Sequence, residues 1–257
     1  MNATAISWTD VTWNPTHGCS RVSDGCRNCY AERLSLKNGF TTLPWTATHA
    51  AQNVQLKPHK LRDPLKLKEP SRIFINSMSD LFHPLIPDSY LQRVWEIMAL
   101  TPQHTYQILT KRPERAARWP GPWLAHIWMG VSAEDRPSLH RLDTLRACPA
   151  QVRFLSFEPL LEGLGTLDLR SYHWVIVGGE SGPGFRPMNH LWAREIRDRC
   201  LEQGIAFFFK QSAAPRTEMG TSLQDWDGTF HAWHQYPGAL TPPIPAPAHR
   251  YTSPHTA

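Results

Sequence analysis

Three cysteines crowd into one short stretch, Gly18-Cys19-Ser20-Arg21-Val22-Ser23-Asp24-Gly25-Cys26-Arg27-Asn28-Cys29-Tyr30. Their spacing is C-x6-C-x2-C. Thiolates are soft ligands suited to iron–sulfur clusters or zinc. Gly18 and Gly25 ease the backbone bends that place three sulfurs around a common centre. A zinc ion would need a fourth ligand, and His17, Cys148 or Cys200 could offer one. A four-iron cluster held by only three thiolates would leave one iron open to a substrate or cofactor. The full set of five cysteines is odd in number and unevenly spread, so a disulfide framework is not expected.

The elements that must position this loop are legible as short apolar runs ending in polar residues. They are Arg72 to Asp80, Tyr106 to Arg112, Ile127 to Glu134, Arg153 to Pro159, Trp174 to Glu180 and Ala206 to Gln211. Each is rich in β-branched or aromatic residues, the pattern of strands buried on both faces. An earlier strand is expected near residues 6–13, before the cysteine loop, with a helix near 29–38 after it. Asp88 is placed to cap a helix through Leu100, with Leu91, Val94, Trp95 and Met98 on one face. Residues 135–147 and 190–203 read as helices, the second stopped at Gly204. Strands alternating with helices imply parallel pairing through right-handed crossovers. The fold expected is α/β, a partial (β/α) barrel of six or seven parallel strands. A doubly wound open sheet is the structural rival.

The chain has 257 residues, 41% of them hydrophobic and 19% charged, so a packed core is feasible. No apolar run reaches the roughly 20 residues needed to span a bilayer. No basic segment followed by an apolar stretch opens the sequence, so a membrane or exported protein is not expected and a cytoplasmic one is. The net charge of +5 is a modest bias towards anionic partners. The 11 tryptophans can fill a core or stack on bases. Residues 1–235 read as one domain, with an excursion at 39–70 that carries Lys57, Lys60, Arg62, Lys66 and Lys68. That excursion suits phosphate contacts or a solvated loop equally. Residues 236–257 form a Pro-rich tail.

A three-cysteine loop after the first strand of a βα series resembles the radical S-adenosylmethionine (SAM) superfamily. More closely, the chain resembles a phage-associated, radical-SAM-like family of uncharacterised proteins. The resembling stretches include Trp8 to Pro15, the cysteine loop with Tyr30-Ala31-Glu32-Arg33, and Asn76 to Phe82. Others are Leu109 to Arg115, Gly130-Val131-Ser132, Leu155 to Leu160, Val177 to Gly184, and Phe208 to Gln211. The commonest superfamily spacing is C-x3-C-x2-C, and the residue before the third cysteine is often aromatic. Here the first gap is longer, that residue is Asn28, and Tyr30 follows the third cysteine.

The resemblance implies that Cys19, Cys26 and Cys29 ligate three irons of a 4Fe-4S cluster, whose fourth iron chelates SAM. It implies an electron donor such as a flavodoxin or ferredoxin, and a substrate from which hydrogen is abstracted. That substrate is read as a nucleotide or a base in nucleic acid, with modification of phage DNA suggested by the family context. A barrel presents its site at the strand C-termini, which makes the polar strand ends the candidates. Gly178 and Gly179 permit close approach of the backbone, and Glu180 or Ser181 would receive the SAM amino group or ribose. Ser79 and Asp80 would bind ribose or substrate, or merely cap a helix. Lys111 and Arg112 would hold the SAM carboxylate or a phosphate. Tyr30 would approach the adenine. Ser132, Glu134, Ser156, Glu158 and Lys210 are weaker candidates of the same kind. The alternative is a zinc-stabilised nucleic-acid-binding protein without catalysis.

Overall fold

The computed structural model describes residues 2–238. Its centre is a sheet of seven parallel strands: β1 (Val11–Trp13), β2 (Arg72–Ile75), β3 (Thr105–Thr110), β4 (Ile127–Ser132), β5 (Arg153–Phe157), β6 (Trp174–Gly178) and β7 (Ala206–Gln211). They lie side by side in chain order, each parallel to the next. An unbroken order has no point at which the winding reverses, so the doubly wound arrangement is excluded. The result is a partial (β/α) barrel. Asn2–Ala3 pairs antiparallel with β1 at one edge. At the other, residues 233–235 run antiparallel to β7, with Phe209 N–H donating to Trp233 O and Gln235 N–H to Phe207 O. Both open edges are thereby covered, which blocks pairing with another chain.

Among the described residues, the helices of six residues or more are α1 (Tyr30–Lys37), α2 (Asp88–Ala99), α3 (Pro113–Arg118), α4 (His140–Arg146) and α5 (His190–Glu202). Alternate strand residues face them. Ile73, Ile75, Tyr106, Ile108, Met129, Val131, Leu155, Phe157, Val175, Val177, Phe207 and Phe209 join one core with Leu91, Val94, Trp95 and Met98 of α2. The opposite alternation builds the inner face. Phe74, Phe154, Trp174, Ile176 and Phe208 form a second cluster, closed by Trp8. Trp174 is its hub, with the rings of Trp8, Trp128, Phe154, Phe208 and Tyr236 all within 6.2 Å. Period-two alternation thus separates a helix-facing wall from an aromatic floor.

The element bounds differ from expectation in a few places. The first strand covers only Val11–Trp13, because residues 6–9 turn to send Trp8 into the inner cluster. Asp88 is the first residue of α2, with Pro87 at the cap position, and its carboxylate accepts from Arg115 instead. Asp135 caps a short 3-10 turn before α4, in a reciprocal box with Ser138. Asn189 caps α5 through Leu191 N–H, and Gly204 (φ +66°) follows the helix as expected. Tyr236 packs on Trp174 and beneath the Arg72 guanidinium. The rest of the Pro-rich tail, from residue 239, lies outside the described residues. Among the described residues no helix is long and apolar enough to cross a membrane.

Gly130 of β4 faces the inner cluster so tightly that an added Cβ would fall 2.4 Å from the Phe154 ring. Gly130→Ala is therefore expected to destabilise the fold by about 1–3 kcal/mol through overpacking. Urea denaturation measures this, and an unchanged midpoint would show that the inner face has room to spare.

Candidate functional site

The inward alternation of the strands changes character toward their C-terminal ends. Apolar Phe74 is followed two residues later by Asn76, and Phe154 by Ser156 and Glu158. Likewise Phe208 is followed by Lys210, and Ile176 by Gly178 and Glu180. These polar ends surround a cavity of about 210 Å³. Its deeper wall holds Ile6, Trp8, Phe74 and Leu109, and its polar wall holds Asn76, Ser132, Ser156, Glu158 and Lys210. Lys210 Nζ pairs with the Glu158 carboxylate.

The cysteine loop lies over this cavity. Cys19, Cys26 and Cys29 are free thiols and all three line it. Gly18 launches the loop with φ +79°, and its N–H donates to Met78 O. A Cβ there would fall 1.9 Å from Asn53 O, so only glycine fits this close crossing. Gly25 is pressed against Glu134 and Lys111, where an added Cβ would meet their side chains at 2.6 and 2.8 Å.

Charged side chains fasten the loop to the strand ends. Beyond β3, Arg112 Nη1 donates to Cys19 Sγ (3.5 Å) and to Asp80 Oδ2 (3.0 Å). Its Nη2 donates to Ser20 O (2.8 Å) and Ser20 Oγ (3.2 Å). Lys111 Nζ pairs with Glu134 Oε2 (2.9 Å), which also receives Arg141 (3.0 Å). Beyond β6, Glu180 accepts from Asn28 Nδ2 (2.8 Å) and from Arg186, and Arg186 continues to Asp24. Burial pushes the Glu180 carboxyl up, but the bonds from Arg186 and Asn28 outweigh it and hold it below the ordinary carboxylate range. Glu134 is likewise held low, by Lys111 against the effect of burial. Burial pushes the Cys19 thiol up to about 12, with Arg112 pulling the other way. It raises the Cys29 thiol as well.

Most of the residues expected at the site meet here. Ser79, Asp80, Lys111, Tyr30, Gly179, Glu180 and Ser181 line the same cavity as the cysteines. Gly178 is set just behind it, packed against the Glu158 side chain. Tyr30 Oη donates to Ser77 O (2.8 Å), and Ser79 Oγ lies 2.7 Å from Thr16 Oγ1. Asp80 accepts from Thr110 Oγ1, Lys111 N–H, Phe82 N–H and Arg112. Glu134 lies behind Lys111, outside the cavity lining. His17, Cys148 and Cys200 are elsewhere: the His17 ring lies tilted against that of Phe40, and the two cysteines are buried in the helix-facing core. Among the described residues, no group of three or more His, Cys, Asp or Glu is arranged to hold a single metal ion. The sequence assigns no site role to Asn76, Trp8 or Arg186. Asn76 was accessible to it, since it continues the alternation of Phe74; Arg186 lies beyond β6, and only tertiary structure brings it to Asp24.

His83 supports the loop from below. Its Nδ1 accepts from Leu85 N–H (3.2 Å), so the proton sits on Nε2 and is donated to Ser20 Oγ (2.9 Å). Burial, with help from Arg112, lowers its pKa from 6.5 to about 4. The neutral ring is the native form, so its contribution is complete above about pH 6.5 and is lost as pH falls toward 4. Denaturation at pH 7 and pH 4.5 is expected to show a loss of about 2 kcal/mol attributable to this ring, allowing for screening. His83→Asn keeps an acceptor for Leu85 N–H without the titration and should flatten the pH dependence. An equally steep profile in the variant would contradict this role.

Among curated proteins, none matches this chain. Among solved structures, it is similar to a point mutant of spore photoproduct lyase, with 11% sequence identity and a TM-score of 0.42. That similarity covers 77% of this chain and 62% of the other, so the chain spans less than two thirds of that protein's length. A family model described as "Protein of unknown function (DUF5131)" matches residues 3–237. The chain, with its cysteine loop and partial barrel, therefore belongs to the DUF5131 family.

Proposed function

We propose that this protein is a radical SAM enzyme acting on a nucleotide or a nucleic-acid base. The observation that carries the reading is the placement of Cys19, Cys26 and Cys29, three free thiols lining one cavity at the C-terminal end of a parallel partial barrel. Their chemistry fits a 4Fe-4S cluster. The donors are all sulfur, and the zinc alternatives for a fourth ligand lie away from them. Ligands of a cluster each bind a different iron, so they need not converge on one point as the ligands of a single ion must.

Held by Cys19, Cys26 and Cys29, such a cluster would supply one-electron reductive chemistry to SAM, with a flavodoxin- or ferredoxin-type protein as the electron donor, and so the means of taking hydrogen from the substrate. The protein's own part is placement and exclusion of side reactions. The space beside Gly178 and Gly179 is taken by the protein itself, by the Glu158 side chain and by the Ala213 backbone, where a Cβ on Gly179 would fall 2.1 Å from Ala213 N, and it is Ser181 and Ser79 that offer hydroxyls to the SAM amino group or ribose. Tyr30 is the candidate neighbour of the adenine. Lys111 spends one of its three N–H donors on Glu134 and keeps two for the SAM carboxylate. The carboxylates of Glu180 and Asp80 act here by holding Asn28 and Arg112 in place.

The substrate reading is supported by the deeper cavity. Trp8, Phe74 and Leu109 offer apolar contact to a flat ring, and Asn76, Ser156 and the Lys210–Glu158 pair offer donors and acceptors to its edge. The net charge of +5 favours a phosphorylated partner, and five of the basic side chains fall within residues 57–68.

Anaerobic incubation of the iron-reconstituted, reduced protein with SAM, followed by chromatography, is the test. The expected product is 5′-deoxyadenosine, and Cys26→Ala should reduce its yield to that of a protein-free control. A colourless protein with one zinc per chain and no 5′-deoxyadenosine would refute the proposal.

A further inference from the structure

We propose that Arg112 and Asp80 together set the reduction potential of the bound cluster, acting as positioning residues through the sulfur of Cys19. This rests on the cluster reading above. Among the described residues, Arg112 is the one cation hydrogen-bonded to a cysteine sulfur. Its side chain is 12% exposed and that of Asp80 is 9% exposed, so solvent screens their charges only weakly.

The geometry favours this role over a grip on a ligand carboxylate. A guanidinium has five N–H donors. Here Nη1 serves Cys19 and Asp80, and Nη2 serves the Ser20 carbonyl and hydroxyl. One N–H remains, on Nε, too few for a bidentate clasp. The pair is also immobile. Arg112 N–H donates to Thr110 Oγ1 (2.9 Å), and that hydroxyl donates to Asp80 Oδ1 (2.7 Å). Asp80 is held further by the N–H groups of Lys111 (3.1 Å) and Phe82 (3.0 Å).

Reduction adds one negative charge beside these groups. Cluster potentials respond to net charge and to hydrogen bonds at the sulfurs. A guanidinium donating to a thiolate stabilises the reduced state and raises the potential. The neighbouring carboxylate opposes it. The two residues therefore form a balanced pair whose members pull in opposite directions.

The test is a redox titration of the anaerobically reconstituted protein, followed by electron paramagnetic resonance. Arg112→Gln should lower the potential and Asp80→Asn should raise it. Each is expected to change the ratio of reduced to oxidised protein at a fixed poise about tenfold, which is about 59 mV for a one-electron couple. Arg112→Lys keeps the charge and should move the potential less than Arg112→Gln does. Should Arg112→Gln lose its iron, Asp80→Asn and Arg112→Lys still carry the sign and size of the effect. A merely structural role would move both potentials the same way or not at all, and either result in iron-replete variants overturns the inference. A wild-type protein that holds no cluster would instead overturn the functional reading, and this inference with it.

Discussion

A thiol-bearing loop with little apolar surface cannot hold its own shape, and here charge does it. Arg112, Lys111 with Glu134, and Glu180 with Arg186 each reach from a strand end to a different part of the loop between Gly18 and Cys29. All are largely withdrawn from water, so removing one partner leaves the other buried and unpaired, at a cost of about 3–5 kcal/mol. Such pairs add little net stability compared with apolar packing of the same volume. Their value lies in direction: a guanidinium or carboxylate accepts partners only along fixed vectors, and so fixes where Cys19 and Asn28 stand.

The strands make that arrangement possible by doing two jobs at once. Their outward residues belong to the helix-facing core, and their inward residues form the aromatic floor and then the polar rim. The switch from Phe to polar residues on the inner face climbs across the sheet: through the strand register Asn76 of the β2 end lies level with Phe154 of β5, and Ser156 of β5 level with Phe208 of β7. Below the switch, Trp174 and its ring neighbours exclude water from the bottom of the half-barrel. Above it, Asn76, Ser132, Ser156, Glu158 and Lys210 turn polar groups into the cavity.

Much of this was legible in the sequence for physical reasons. Strands buried on both faces read as apolar runs, and seven of them alternating with helices allow few topologies. The cysteine spacing stood out because three thiols rarely fall so close by chance. The α2 face through Leu91, Val94, Trp95 and Met98 followed from helical periodicity. What stayed hidden depends on distance along the chain. Glu180 and Asn28 are 152 residues apart, and no local pattern joins them. Arg186 and Asp24 are 162 apart. Helix α3 begins at Pro113 and is only six residues long, too short for its periodicity to register. The turn that sends Trp8 inward cut short a strand that its apolar neighbours suggested.

The central claim is that three sulfurs share one polynuclear centre while a corner of it is left for a small-molecule ligand. Mössbauer spectroscopy of ⁵⁷Fe-loaded protein addresses it directly, because it distinguishes the iron sites of one cluster. The account predicts a four-iron spectrum in which one site changes its parameters when SAM is added. Four equivalent sites that ignore SAM, or no cluster signal at all, would contradict it.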